Sequence, residues 1–414
     1  MKKALITAIL LIFFGVAAQD SQPAAKEQNE RASATEEQKR QFAVTAFSAS
    51  YLRTAPDYES ALETQELMGT VVEVTGQKGY WRQVTTPQPY TAWCTDLGLA
   101  FMSETETAEY IAAPKYIYTS LYGHVYSKPS MQSDHVCDLV AGDLLRIVLK
   151  DRTGRYVNMP DGKPDSIVCA KGNKSTGNSS GTGNKGTGMT GKRPQGTGNG
   201  TGKASVKGEW AEVMLPSGKT GFVPAREMQE FRQWAMSGEA TVENIIRTAK
   251  LFTGVPYLWG GMSSKGLDCS GLTRLTWFLN GVLLPRNASQ QVHTGNDVPV
   301  DPDPSYGAGY DGLKSEMLRR VRNLQPGDLV FFGTPAEAGA GSEGTPKDRI
   351  THVGIYIGNN HIIHSSHTVR INSLIPGDED YYENSHRLIR ARRIIGQEDC
   401  GKGIVSIKNS PAYF

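Results

Sequence analysis

Gly266-Leu267-Asp268-Cys269-Ser270-Gly271-Leu272-Thr273-Arg274-Leu275-Thr276-Trp277-Phe278 is the stretch whose reading decides the fold. Leu272, Leu275 and Phe278 recur at helical spacing and predict an apolar helix, and the segment before them, Tyr257-Leu258-Trp259-Gly260-Gly261, predicts an aromatic loop closed by glycines. Cys269 falls at the first turn of that helix. Unpaired N–H groups and the helix dipole there favour negative charge, so the thiol is expected to ionise readily, and the same N–H groups could hold an oxyanion. A cysteine alone is more often a small apolar core residue than a nucleophile. Nucleophilic chemistry also needs a base and a group to orient that base.

Downstream, Asp328 to Phe332 reads as a buried strand, and Thr351 to Ile357 and His361 to Ser365 read as paired strands around Gly358-Asn359-Asn360. With a three-residue loop, Ile357 pairs with His361 and His352 lies opposite Ser366, which makes His352 and His364 diagonal neighbours on one face. A two-residue loop puts them on opposite faces, so the reading depends on register. His361, His364 and His367 recur every three residues. In a strand that spacing sends His364 away from the other two, and the β-branched run opposes a helix, so no zinc site is expected.

Upstream, Ile245, Ile246, Ala249 and Phe252 predict a helix from Val242 with Thr241 as its cap. Before it the chain repeats itself. Twelve residues separate Trp81 from Trp93 and Trp210 from Phe222, and seven separate Val84 from Thr91 and Val213 from Thr220. Matched offsets of this kind predict a duplicated small all-β module. The second copy is interrupted: Gly69 to Trp81 spans 12 residues, Gly142 to Trp210 spans 68. Most of the surplus is the tract Lys171 to Lys207, with 11 Gly, six Lys, one Arg and no acidic residue, a composition that cannot bury a core. A G-x-G-x-x-G match within it, Gly181 to Gly186, has no strand before it and carries no cofactor prediction.

The 414 residues hold 44 Lys and Arg against 42 Asp and Glu, a net charge of +2, which argues against nucleic acid as a partner. Five Cys are too few for a disulfide scaffold. Cys137 and Cys169 both lie in the second module and are candidates to pair in an oxidising compartment; Cys94 and Cys400 have no evident partner. Met1-Lys2-Lys3, an apolar run from Ala4 to Val16 and small residues at Val16-Ala17-Ala18 read as a secretory signal peptide cut before Gln19. No Cys follows for a lipid anchor, and no later segment has the length of a membrane span. The expected organisation is a signal peptide (1–18), a disordered linker (19–41), module 1 (42–105), module 2 (114–230, with the insertion 171–207) and a mixed α+β domain (240–396). The protein is expected to be exported, periplasmic or extracellular, and monomeric.

The ordered set Tyr257-Leu-Trp259-Gly260-Gly261, Leu267-Asp268-Cys269-Ser270-Gly271-Leu272, Leu284-Pro285-Arg286, Gln291, Pro326-Gly327-Asp328-Leu329-Val330-Phe331-Phe332 and His352-Val-Gly-Ile-Tyr-Ile-Gly358 closely resembles the NlpC-type cysteine peptidases of bacterial cell-wall peptides. That resemblance covers roughly Val242 to Arg393 and implies an α+β, papain-like catalytic domain. The upstream repeat resembles the small all-β, barrel-like bacterial SH3-like modules that accompany such domains. By resemblance Cys269 is the nucleophile, His352 the general base and His364 the residue that orients it. No cofactor or metal is implied. The substrate implied is the bond between γ-D-glutamate and a diamino acid in peptidoglycan stem peptides. Two SH3-like modules before the peptidase look like the γ-D-glutamyl-L-diamino-acid peptidases of the dipeptidyl-peptidase VI type, in which a module blocks part of the cleft so that only short peptides with a free N-terminal L-Ala fit. Such an amine needs a carboxylate partner. Asp268 is the candidate, with Ser270 and Ser289 adding hydrogen bonds, Trp259 packing on the dipeptide, and Tyr257 and Tyr90 as further contacts. Ser289 reads equally as a helix cap, and Arg286 and Gln291 read as structural.

Two rival readings stand beside this one. An endopeptidase would split intact wall, with the modules as anchors, and a non-catalytic protein would keep the fold only to bind wall. Residues 301–320 and 333–349 look like additions to a compact core, either cleft rims or surface insertions.

Overall fold

Short alternating strands punctuated by glycine turns build the first half of the chain. The computed structural model describes residues 40–148, 209–306, 309–336 and 348–414. The signal peptide, all but the end of the linker, the tract 171–207, Cys169 with its proposed pairing, and residues 337–347 of the long loop lie outside the described residues. β1 (Gln41–Thr45), β2 (Ala49–Arg53), β3 (Leu62–Leu67), β4 (Val71–Lys78), β5 (Trp81–Thr85), β6 (Thr91–Thr95) and β7 (Leu99–Met102) form one sheet in the order β3-β2-β6-β5-β4-β1-β7. β8 (Lys115–Tyr118), β9 (Tyr122–Tyr126), β10 (His135–Val140), β11 (Leu144–Ile147), β12 (Trp210–Met214), β13 (Thr220–Pro224) and β14 (Met228–Glu230) form a second, in the order β10-β9-β13-β12-β11-β8-β14. The two orders are the same once seven is subtracted from each label of the second. Registers match as well: Gln83 faces Trp93 in one sheet and Glu212 faces Phe222 in the other. The equal spacings in the sequence are therefore equal positions in two β-hairpins. Each sheet closes on its own apolar cluster, around Leu52, Val72 and Val84 in the first and around Val125, Leu139 and Val213 in the second.

The C-terminal half is layered on an antiparallel sheet. β15 (Met262–Ser263) pairs with β16 (Gly266–Leu267), and β17 (Val282–Leu283) pairs with β24 (Val405–Ser406). β18 (Asn296–Asp297), β19 (Leu329–Thr334), β20 (Arg349–Gly358), β21 (His361–Ser366), β22 (Thr368–Ser373) and β23 (Leu388–Arg393) form the main sheet in the order β18-β23-β19-β20-β21-β22. Alternation along its strands feeds two cores. Leu329, Phe331, Val353, Ile355 and Ile363 pack toward the helix Cys269–Phe278, and Val330, Phe332, Tyr356 and Ile362 pack toward Met317 and Val321, which lie on the helix Tyr310–Val321. Much of 301–320 is thus a structural layer under the sheet rather than an irregular insertion.

Every residue of the helix Cys269–Phe278 is buried, so it has no solvent-facing stripe. The sheet covers one side of it. Leu67, Ile117, Val140 and Leu144 of the two β-units join the same apolar cluster as Leu272, Leu275 and Trp277. The helix Val242–Leu251 starts as expected, with the Asn244 N–H donating to Thr241 Oγ1 at 3.2 Å. Among the described residues no helix is long and apolar enough to cross a membrane.

β3 fastens the first unit to the C-terminal half. Arg286 Nε donates to Thr64 Oγ1 at 2.7 Å, Met262 N–H donates to Gln65 Oε1 at 2.9 Å, and Arg274 meets Glu66 at 3.3 Å. Gly260 allows the close approach. Its φ of +75° is left-handed, and a Cβ there would stand 2.8 Å from the Leu62 carbonyl oxygen, so only glycine fits without strain.

Candidate active site

Asp268 caps the central helix by accepting the Gly271 N–H at 2.6 Å, which fixes Cys269 as the first helical residue. Cys269 is buried, with 8% of the residue exposed. Backbone N–H groups of Ser270 and Val353 face it and favour its charged form, but burial and then the Asp268 carboxylate act the other way and push the thiol up to about 12. The expectation of a readily ionised thiol is therefore reversed. One helix turn of dipole is a weaker influence than removal of the sulfur from water.

The histidines come from the β20–β21 hairpin, by a route that differs from the expected one. Its turn has two residues, Asn359 at φ 50° and Asn360 at φ 64°, and Gly358 pairs with His361. This is the two-residue connection that alone would separate the two rings. A bulge at Ile357 then restores the pairing, so that Tyr356 faces Ile362 and Ile355 faces Ile363. Gly358, at φ +95°, supplies the left-handed residue that such a bulge favours. His352 and His364 consequently meet, with Nε2 of the first 2.8 Å from Nδ1 of the second.

The proton positions follow from the next partner. Asn372 donates Nδ2–H to the Asp380 carbonyl at 2.7 Å, which leaves Oδ1 facing His364 Nε2 at 2.9 Å. His364 Nε2 therefore carries a hydrogen, and neutral His364 accepts at Nδ1. His352 then donates from Nε2 and keeps its lone pair on Nδ1. Tyr382 walls the pair, its ring 4.7 Å from that of His364 and 5.8 Å from that of His352. Burial lowers His352 to about 3, helped by His364 and Arg370, and lowers His364 to about 4 against the raising influence of Asn372. A thiolate and an imidazolium are each opposed by burial, which favours the neutral pair.

That neutrality has a measurable consequence for stability. Both rings bind protons less readily when folded than in the unfolded chain, where the pKa is about 6.5. The stability they contribute is present above about pH 6.5 and is lost as pH falls toward 4 and 3. Each ring adds up to about 1.4 kcal/mol per pH unit to the acid limb. Denaturant unfolding of His364→Gln between pH 6 and 4 is expected to show a slope shallower by about one proton; an unchanged slope would mean that His364 titrates as it does in water.

Around this centre the other anticipated residues divide. Asp268 does not stand open to a ligand. Its Oδ1 accepts from Gly271 N–H, from Ser270 Oγ at 3.1 Å and from Arg286 Nη1 at 3.1 Å, and its Oδ2 accepts from Gly260 N–H at 3.0 Å and from Arg286 Nη2 at 2.5 Å. Five donors fill a carboxylate. Arg286, 2% exposed, is the buried counter-ion, and its Nη1 also reaches Ser270 Oγ at 3.0 Å. Gln291 is structural too, donating to the Ser270 and Pro285 carbonyls at 3.1 and 2.9 Å. Ser289 is exposed inside the short helix Ala288–Gln291, whose cap is Asn287, so the capping role is excluded. Trp259 projects into solvent at 68% exposure, and Tyr257 is half-buried. Tyr90 donates its hydroxyl to the Glu63 carboxylate and lies 3.4 Å from Asn287 Nδ2. Among the described residues no group of three or more His, Cys, Asp or Glu is placed to hold a metal ion. His364 is buried, and His367 sits in a tight turn at φ 63°.

Sequence reasoning passed over Glu63, Asn372 and Tyr382. Asn372 carried a faint signal, since it follows a β-branched run one strand after His364. Glu63 and Tyr382 carried none.

Residues 254–391 match the NlpC/P60 family. The chain is 34% identical over 152 residues to the gamma-D-glutamyl-L-lysine dipeptidyl-peptidase of Bacillus subtilis, a match covering 37% of this chain and 41% of that protein. It is 30% identical over 164 residues to the Bacillus cereus protein of the same name, covering 40% of each. The chain thus spans about two fifths of the length of these two relatives. A longer match, 23% identical over 328 residues, covers 78% of this chain and 88% of the dipeptidyl-peptidase 6 of Lysinibacillus sphaericus. The crystal structure of an NlpC/P60 family protein from Bacillus cereus ATCC 10987 superposes with a TM-score of 0.54 at 22% identity, covering 86% of this chain and 99% of the other; it shares the fold.

Proposed function

We propose, on the premise that residues 254–391 form a domain of the NlpC/P60 family of cysteine peptidases, that the whole chain is an exported hydrolase of the γ-D-glutamyl–diamino-acid bond in short peptidoglycan stem peptides. The two β-units are its SH3-like modules. The observation that carries the reading is the directed chain from Asn372 through His364 to His352, which leaves one basic nitrogen, His352 Nδ1, for the thiol. In this mechanism Cys269 Sγ attacks the γ-carbonyl carbon as its proton passes to His352 Nδ1. The backbone N–H groups around the sulfur face the oxyanion. The imidazolium then protonates the leaving amine of the diamino acid, the C–N bond breaks and a thioester remains. Water, deprotonated by His352, attacks the thioester and releases L-Ala-D-Glu. The likeness to two gamma-D-glutamyl-L-lysine dipeptidyl-peptidases supports the same bond.

The preference for short peptides with a free amine is supported by β3. It lies along the loop that leads into Cys269, with Leu62 against Gly260 and Thr64 on Arg286. Since Asp268 is filled by Arg286, the amine is assigned to Glu63, held by Tyr90 beside Asn287, with Trp259, Tyr257 and Ser270 lining the approach and exposed Ser289 at the margin. Purified enzyme is expected to cleave free tripeptide, to lose about 10²-fold or more in kcat/KM on the N-acetylated peptide, and to leave sacculi intact. Activity on sacculi but not on tripeptide would instead establish the endopeptidase. Failure on every wall peptide would leave a binding protein.

A further inference from the structure

Arg370 is half-buried beside the histidine pair, and its charge is left unbalanced. It stands on β22 directly across from His364, so the two side chains leave the sheet on the same face. Its Nε is buried and without a hydrogen-bond partner, and no carboxylate forms an ion pair with it, among the described residues. Other sequestered arginines differ: Arg274, Arg286, Arg320 and Arg393 each meet a carboxylate at 2.5 to 3.3 Å. The charge acts on the centre itself, adding to the lowering of His352 and His364 by burial and opposing the rise of Tyr382. A guanidinium with a buried, unpaired Nε beside a base is unfavourable twice over, for the cation and for the imidazolium the reaction must form. Both penalties vanish if an anion arrives with the substrate.

We propose that Arg370 is the receptor for a carboxylate of the substrate lying across Cys269. The proposal rests on the γ-glutamyl reading above. Two carboxylates flank that scissile bond: the α-carboxylate of D-Glu, and the C-terminal carboxylate of the diamino residue in a tripeptide. Either one neutralises the guanidinium and so lets His352 take the thiol proton. The acidic substrate therefore completes the activation of its own nucleophile, and neutral peptides of the same shape meet an inactive pair.

The test compares kcat/KM of the full-length enzyme on L-Ala-γ-D-Glu-diamino acid, with L-lysine or meso-diaminopimelate in third position, against three analogues. One carries the α-carboxamide of D-Glu, one the C-terminal amide, and one both. Loss of about 10²-fold on one single amide is expected and identifies the carboxylate. Arg370→Met is expected to lose a similar factor on the parent peptide and nothing further on that amide, and Arg370→Lys to recover part of the loss. Equal wild-type rates on all four peptides would overturn the proposal without the use of any variant. So would a variant that folds, by its thermal midpoint, yet loses the same factor on every peptide, which is the mark of a merely structural arginine. Wild-type failure on all four would instead remove the γ-glutamyl reading.

Discussion

Cys269→Ala is expected to lower kcat by at least about 10⁴-fold while leaving the fold intact. The buried sulfur makes the helix start compact, and its removal is a small deletion beside Leu267 and Val353, costing about 1 kcal/mol of packing. The chemical loss is far larger, because in the proposed mechanism Cys269 is the group that forms the acyl-enzyme. A variant that kept more than roughly a hundredth of wild-type kcat would place the nucleophile elsewhere. The resting thiol offers a companion measurement. With the sulfur pushed up to about 12 and His352 down to about 3, alkylation of the free enzyme by iodoacetamide is expected to be slow at pH 7. A fast reaction at neutral pH would show a preformed thiolate–imidazolium pair, as the helix-dipole argument had implied.

Arg286→Met carries the second large effect, on stability. It leaves the Asp268 carboxylate buried with three remaining donors and no counter-charge, and it removes the bond to Thr64 that ties the first β-unit to the catalytic half. Breaking a buried pair from one side costs about 3–5 kcal/mol. Asp268→Asn in the same background is expected to restore a good part of this, since an amide needs no cation. Denaturant unfolding of the two single variants and the double variant measures the coupling. A loss under about 1 kcal/mol in Arg286→Met would show that water reaches Asp268 and screens it.

Sequence alone revealed the helix that carries Cys269 because Leu272, Leu275 and Phe278 follow a helical period, and it revealed the duplicated β-units because Trp81 and Trp210 mark the same strand position in each. The His352–His364 pairing came out of compensating errors. A turn one residue shorter than expected and a one-residue bulge cancel, so the face and the strand register at the histidines were right and the turn was not. Burial set the limits elsewhere. Whether Cys269 ionises depends on how deeply it is buried, and whether Asp268 is open or filled depends on Arg286, 18 positions further along and held in turn by Thr64 from 222 positions away, and no local pattern encodes that. Asn372 lies within reach of His364 only because the chain reverses at His367 with a positive φ, a conformation that histidine rarely advertises.

The three neighbours Thr64, Gln65 and Glu66 are all buried, and each is matched to a different part of the catalytic half. A strand normally turns every other side chain to water; this one is clad on both sides. Cutting the chain after the second β-unit would strip the cover from Arg274 and Arg286 and lay open the apolar flank of the helix that presents the sulfur. The peptidase is thus no freestanding engine with accessories bolted on. Its upstream half is part of its casing.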